Sequence, residues 1–133
     1  MEIDGIFIPE GTSREDVMAR DRAIMNFYAK WNSEHPQKCM WNDNLQDYIH
    51  VRFLSMQETA EKAARQFNST LAVFRLTELL TKARKVGEVP IKNGTKNQKR
   101  FTRILIMQLD DVKMTVGVLK SGSKIQYCIT SLK

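Results

Sequence analysis

The stretch FTRILIMQLDDVKMTVGVLKSGSKIQYCITSL, residues 101–132, decides the fold. Three runs rich in β-branched and apolar residues, Phe101 to Leu109, Val112 to Lys120 and Lys124 to Leu132, are parted only by Asp110-Asp111 and Ser121-Gly122-Ser123. Short polar turns between such runs give an antiparallel meander. Alternation with period two places Val112, Met114, Val116 and Val118 on one face of the second strand and Ile125, Tyr127 and Ile129 on one face of the third. These are the positions expected to face a layer of helices.

The helices come from the residues before the meander. Ile3 and Ile6 to Ile8 make a short extended start closed by Pro9 and Gly11, and Thr12-Ser13-Arg14-Glu15 has the spacing of a capping box. Val17, Arg20, Ile24, Phe27, Tyr28 and Trp31 then recur at three- and four-residue intervals, which predicts an amphipathic helix over 13–32. Lys38 to Asn44 reads as a turn with one short extended piece, and Tyr48 to Leu54 as a strand that stops at a second capping box, Ser55-Met56-Gln57-Glu58. A helix over 56–67 follows, with Ala60, Ala63, Ala64 and Phe67 on one side. A third, more buried helix begins after the Asn68-Ser69-Thr70 break and stops at Gly87. The expected architecture is one α+β domain over residues 1–133, with N-terminal helices packed on a small C-terminal antiparallel sheet.

The 42% apolar content of 133 residues suffices for one core and argues against disorder. No run approaches the roughly 20 apolar residues needed to span a bilayer, and no leader is evident at Met1, so a cytoplasmic location without membrane association is expected. Cys39 and Cys128 stand far apart and without histidines at ligand spacing, so no disulfide framework, zinc site or other metal or cofactor is expected. Phosphate-loop, dinucleotide and H-E-x-x-H motifs are absent, and carboxylates do not cluster as a two-metal nuclease requires.

Charge is unevenly placed. Residues 1–81 hold 9 Lys/Arg against 12 Asp/Glu, whereas residues 82–133 hold 12 against 3. A field of one sign on one region steers polyanions, so RNA, another nucleic acid or an acidic protein is the expected partner; oligomeric state stays open. Lys96, Lys99, Arg100 and Arg103 lead into the meander, and Lys82, Arg84 and Lys85 precede it. Such groups hold phosphodiesters, with Arg suited to the phosphate itself. A solvated loop tip and a helix-dipole complement are the competing readings of the two groups.

His50 points opposite to Ile49 and Val51 by strand alternation, and histidine is the residue type suited to moving protons near neutral pH, which makes it the candidate general acid or base, or else an exposed structural histidine. Tyr127 and Thr130 offer hydroxyls on the last strand, although both also suit ordinary strand positions. Trp41, among Asn and Asp, is a candidate base-stacking residue, whereas Trp31 lies on the apolar stripe of the first helix.

Arg100-Phe101-Thr102-Arg103-Ile104, the run Val112 to Val118 and the run Gly122 to Thr130 resemble the closing strands of the small nucleases grouped as barnase, EndoU, tRNA-cleaving colicin and RelE-like. Tyr48 to Arg52, Glu58 to Ala60 and Ser69 to Val73 resemble the region preceding the sheet in phage-type members. The resemblance implies helices on a small antiparallel sheet and metal-independent cleavage of RNA by its own 2′-hydroxyl. His50, Arg100, Arg103, Tyr127 and Thr130 are the positions that fit the catalytic set. His50 would move the proton and Arg100 or Arg103 would stabilise the phosphorane. The alternative is a non-catalytic nucleic-acid-binding or protein-adaptor domain on the same scaffold.

Overall fold

The computed structural model describes residues 1–91 and 100–133. Strands β1 (Glu2–Ile3) and β2 (Ile6–Phe7) form a hairpin whose turn, Asp4 and Gly5, has φ of 52° and 79°. Both angles are positive, as a two-residue turn of primed type requires. Helix α1 (Arg14–Glu34) is capped by Ser13, whose side chain accepts the Asp16 N–H at 3.1 Å, one residue later than the Thr12 reading. The predicted stripe is the buried one, including Arg20, Ile24, Tyr28 and Trp31.

Arg20 is fully buried, 1% exposed, and among the described residues no carboxylate pairs with it. Its Nε donates to the Ala64 carbonyl at 2.8 Å, and its Nη1 donates to the carbonyls of Pro9 (2.8 Å) and Gly11 (2.7 Å). One guanidinium therefore ties the N-terminal arm, α1 and the end of the next helix together. Its buried charge is spread over three carbonyl dipoles.

A ribbon follows, β3 (Cys39–Asn42) and β4 (Asp47–His50), then α2 (Phe53–Ala63), α3 (Phe67–Val73), α4 (Leu76–Lys82) and β5 (Arg84–Val89). The meander is β6 (Phe101–Leu109), β7 (Val112–Leu119) and β8 (Lys124–Ser131), within a residue of expectation at each end. The architecture is α+β, but the sheet is neither purely C-terminal nor purely antiparallel. Six strands lie in the order β3-β4-β8-β7-β6-β5, and β4 runs parallel to β8.

Three local expectations are corrected. The strand read as ending at Leu54 ends at His50, and α2 starts at Phe53; Ser55, read as its cap, is fully buried inside the helix. The Val51 N–H bonds the Lys38 carbonyl at 2.8 Å and holds the chain beside the ribbon as it turns into the helix. The single third helix is two, α3 and α4, and Gly87 lies in β5 beside a register shift. Helix α4 stops earlier because Asn42 Nδ2 donates to the carbonyls of Leu80 and Ala83, both at 3.0 Å, taking up acceptors a helix end would leave open. Finally, β8 carries one residue more than β7 between Gln126 and Cys128. This bulge turns Gln126 and Ile129 to the helices and leaves Ile125 and Tyr127 on the outer face, so the expected set Ile125, Tyr127 and Ile129 is split.

The sheet curls around α4, whose Leu76, Leu79 and Leu80 have no exposed surface. The Lys85 N–H in β5 reaches Asn44 Oδ1 at 2.9 Å, in the turn that joins β3 to β4 on the opposite edge. Helix-side residues Leu105, Met107, Val112, Met114, Val116, Val118 and Ile129 share one core with the four helices. A smaller outer cluster contains Phe101, Ile104, Ile125 and Tyr127. Gly117 sits under that cluster, and a Cβ there would lie 2.4 Å from the Phe101 ring.

Arg20→Met is expected to lower the unfolding free energy by about 3 kcal/mol, because the Ala64 carbonyl would stay buried without its charged donor. Urea denaturation measures it, and a loss well below 1 kcal/mol would show that the bonds are replaceable. Gly117→Ala is expected to cost roughly 2 kcal/mol by overpacking, and Phe101→Leu in the same chain should recover part of that loss.

Candidate nucleic-acid interface

The face of the sheet turned away from the helices is set by strand parity. On β7 it carries Lys113, Thr115 and Gly117, and on β6 Ile104 and Ile106. On β8 it carries Ile125, Tyr127, Cys128 and Thr130; the bulge allows Tyr127 and Cys128 to share it. The Cys128 N–H donates to Thr115 Oγ1 at 3.1 Å, in the register where the bulge interrupts the ladder. On the ribbon, Trp41 pairs across the strands with Tyr48, and Cys39 with His50. Ile49 and Met40 go to the core, so these four residues lie on the outer side.

Two depressions border this face, one of them where the end of the ribbon meets α1 and the start of α2. One, of about 400 Å³, is lined by His50, Lys38, Arg52, Phe53, Tyr28 and Asn32, with no carboxylate among its described lining. Beside it Trp41 (41% exposed) and Tyr48 (47%) meet edge to face, ring centroids 5.2 Å apart. The other, of about 560 Å³, has Ile104, Ile106 and Tyr127 along its base and Lys62, Lys113 and Thr130 around it. Phe101 lies over Gly117 and against the Tyr127 ring, and Gly117 pairs with Ile125, the neighbour of His50. The two depressions thus lie on either side of this aromatic cluster.

The expected site residues are distributed as follows. His50 belongs to the smaller depression and Tyr127 and Thr130 to the larger. Arg103 pairs with Val118, a helix-side residue, and its Nε lies 3.4 Å from Glu88 Oε1. It projects from the other face, three strand spacings or roughly 14 Å from β4. Arg100 donates from Nη2 to Ser55 Oγ at 3.0 Å and lies over the Phe101 ring, and its buried Nε has no acceptor among the described residues. It is thereby fixed to the first turn of α2, whose Phe53 borders the His50 depression.

Lys82, Arg84 and Lys85 stand where α4 passes into β5, and the Lys85–Asn44 bond brings that junction to the turn end of the ribbon. Lys85 also pairs with Glu88 at 3.0 Å. Lys96 and Lys99 lie outside the described residues.

Lys38, Arg52, Lys62 and Lys113 were not singled out by sequence reasoning. The alternation Lys113-Thr115-Gly117 opposite Val112-Met114-Val116 was a signal for Lys113; Lys38 and Arg52 become neighbours only through the Val51–Lys38 bond. Burial, then the Glu58 carboxylate, pushes the Cys128 thiol up, against Lys62, whose Nζ lies 3.7 Å from the sulfur. Cys128 therefore stays protonated at neutral pH and is a poor nucleophile. Acidic groups gather elsewhere, where Asp21, Glu58 and Glu61 line a groove of α1 and α2; burial and Glu61 raise the Asp21 carboxyl.

No protein-family model, no curated protein and no solved structure matches this chain. Among the described residues no helix is long and apolar enough to cross a membrane.

Asp47 begins the strand that ends at His50. Its carboxyl is held below the ordinary carboxylate value first by the hydrogen bond from Lys124 Nζ (2.6 Å), then by the Tyr48 N–H (2.7 Å) and the charges of Lys124 and His50. A depressed pKa contributes stability that is complete above the unfolded value and lost as pH falls through the folded one. Asp47→Asn is therefore expected to flatten the pH dependence of unfolding below about pH 4, leaving the slope above pH 5 unchanged. Urea melts of both chains from pH 2 to 7 measure it.

Proposed function

We propose that the protein binds single-stranded RNA across the outer side of the β3–β4 ribbon and cleaves it without a metal, His50 moving the proton. The observation that carries this reading is the convergence, beside one histidine, of two cations and an exposed aromatic pair, with no carboxylate in the described lining of the depression. Trp41 and Tyr48 offer ring faces and edges to unstacked bases, an interaction tolerant of sequence. Lys38 and Arg52 hold the phosphate beside His50, the role expected of Arg100 and Arg103, with Arg52 able to donate two hydrogen bonds to it.

In the reaction the ribose 2′-oxygen attacks the adjacent phosphorus and His50 accepts its proton. The 5′-oxygen leaves with a proton from water, giving a 2′,3′-cyclic phosphate and a 5′-hydroxyl end. Arg52 and Lys38 offset the charge that grows on the phosphorane oxygens. The same reaction is implied by the resemblance to the barnase, EndoU, colicin and RelE-like group.

One observation favours a second reading, an RNA-binding module without catalysis. The described lining holds a single imidazole and no carboxylate, so only one of the two proton transfers has an acid–base side chain to serve it.

Labelled single-stranded RNA and the matching DNA, each with and without chelator, separate the readings. Chelator-resistant cleavage of RNA alone is expected, falling about 100-fold or more in His50→Ala, the scale of a lost acid–base group. Trp41→Ala should weaken RNA binding by about 1–2 kcal/mol. Equal cleavage of DNA would exclude the 2′-hydroxyl mechanism, and salt-sensitive binding without cleavage would leave the binding module.

A further inference from the structure

Two lysines border the larger depression, with the Glu58 carboxylate one helical turn before Lys62. Lys113 is half-buried on β7, and Lys62 reaches over from α2; neither has an ion pair among the described residues. The Lys62 ammonium lies 3.7 Å from the Cys128 sulfur, a thiol whose pKa burial raises, and 5.4 Å from the centre of the Tyr127 ring. Strand register sets Lys113 beside Thr130 and Thr115 beside Cys128, so the two ammonium groups flank the Cys128 to Thr130 stretch of β8 from opposite sides. Next to that charged end lies an apolar floor of Ile104 and Ile106.

Two ammonium groups bordering one concave surface, Lys113 partly buried and Lys62 exposed, attract an anion from solution. An anionic group between two ammonium ions, joined to a flat apolar body over isoleucine side chains, describes a nucleoside phosphate. We propose that this depression binds a nucleoside phosphate, free or as one unit of an RNA chain, with its phosphate between Lys62 and Lys113 and its base against Ile104 and Ile106. The choice of ligand rests on the RNA reading above, but not on cleavage at His50. The cluster of Phe101, Gly117 and Ile125 separates this subsite from the ribbon, so one strand of RNA engaging both must pass across that cluster.

The test is isoleucine-methyl NMR on the full chain, titrated separately with adenosine 3′-monophosphate, inorganic phosphate, decanoate and a short single-stranded RNA. Saturable shifts of the Ile104 and Ile106 methyls are expected with the mononucleotide and with the RNA, and much smaller ones with phosphate. Lys62→Met and Lys113→Met should each weaken the mononucleotide about tenfold, the worth of one charge-assisted contact. His50→Ala should leave this binding unchanged.

If these shifts occur and no RNA is cleaved, the subsite stands and the catalytic reading falls. If RNA is cleaved but neither nucleotide probe moves these methyls, the subsite falls alone. Shifts with decanoate and not with the mononucleotide, or shifts indifferent to both lysine substitutions, would overturn the proposal.

Discussion

The Thr59 hydroxyl lies 2.8 Å from both the Tyr127 and the Ser55 carbonyls and shares its one proton between them, and much of the fold depends on this tie between α2 and β8. Strand β8 pairs with β7 along its whole length, but with β4 only at Lys124 and Ile125. Beyond Ile125 its second edge has no strand, and an open edge displays unpaired donors and acceptors. Helices cover it. Thr59 takes the Tyr127 carbonyl, Gln126 Nε2 donates to Thr59 Oγ1 at 2.8 Å, and Ser69 Oγ accepts the Ser131 N–H at 3.0 Å. The bulge makes this arrangement work, because it sends Gln126 inward to the hydroxyl while Tyr127 and Cys128 turn outward.

The outer face follows from this constraint. With α2 held along the edge of β8, Lys62 on its last turn reaches Cys128, and Ser55 on its first turn receives Arg100. The same helix therefore contributes to both ends of the face. Arg20 fixes the other end of this unit by donating to the Ala64 carbonyl just past α2, so the N-terminal arm and α1 are coupled to the helix that lines the site. Asn42 plays the corresponding part on the far side: it closes α4 and places the turn of the ribbon against the start of β5.

The meander was legible because its residues obey period two between strong turn signals, and α1 because its apolar stripe has the helical period. What was not legible has identifiable causes. The pattern Ser55 to Glu58 has capping-box spacing, yet tertiary burial of Ser55 and the Val51–Lys38 bond move the helix start upstream. Strand β5 carries Arg84, Lys85, Gly87 and Glu88, largely exposed on a sheet edge, so no buried alternation marks it. The bulge in β8 hides inside an unbroken apolar run, where period two carried straight through gives the wrong face to Tyr127. The parallel pairing of β4 with β8 joins residues more than 70 positions apart, which no local pattern reports. The candidate site suffers most from this, since His50 acquires its neighbours Lys38 and Arg52 through a backbone bond across the ribbon.

The distribution of ion pairs gives the outer face its physical character. Arg75, Lys85, Arg103 and Lys124 each meet a carboxylate, and none of these four cations lines either depression. Lys38, Arg52, Lys62 and Lys113, which line them, meet none among the described residues. A cation with an adjacent carboxylate has little field beyond a few ångströms, whereas an uncompensated one acts over the Debye length of about 8 Å at physiological salt. Net charge alone would not locate an anion on this protein, because the paired cations contribute to the sum but hardly to the field. The unpaired ones concentrate positive potential at the two concave places where the protein also offers aromatic or apolar surface.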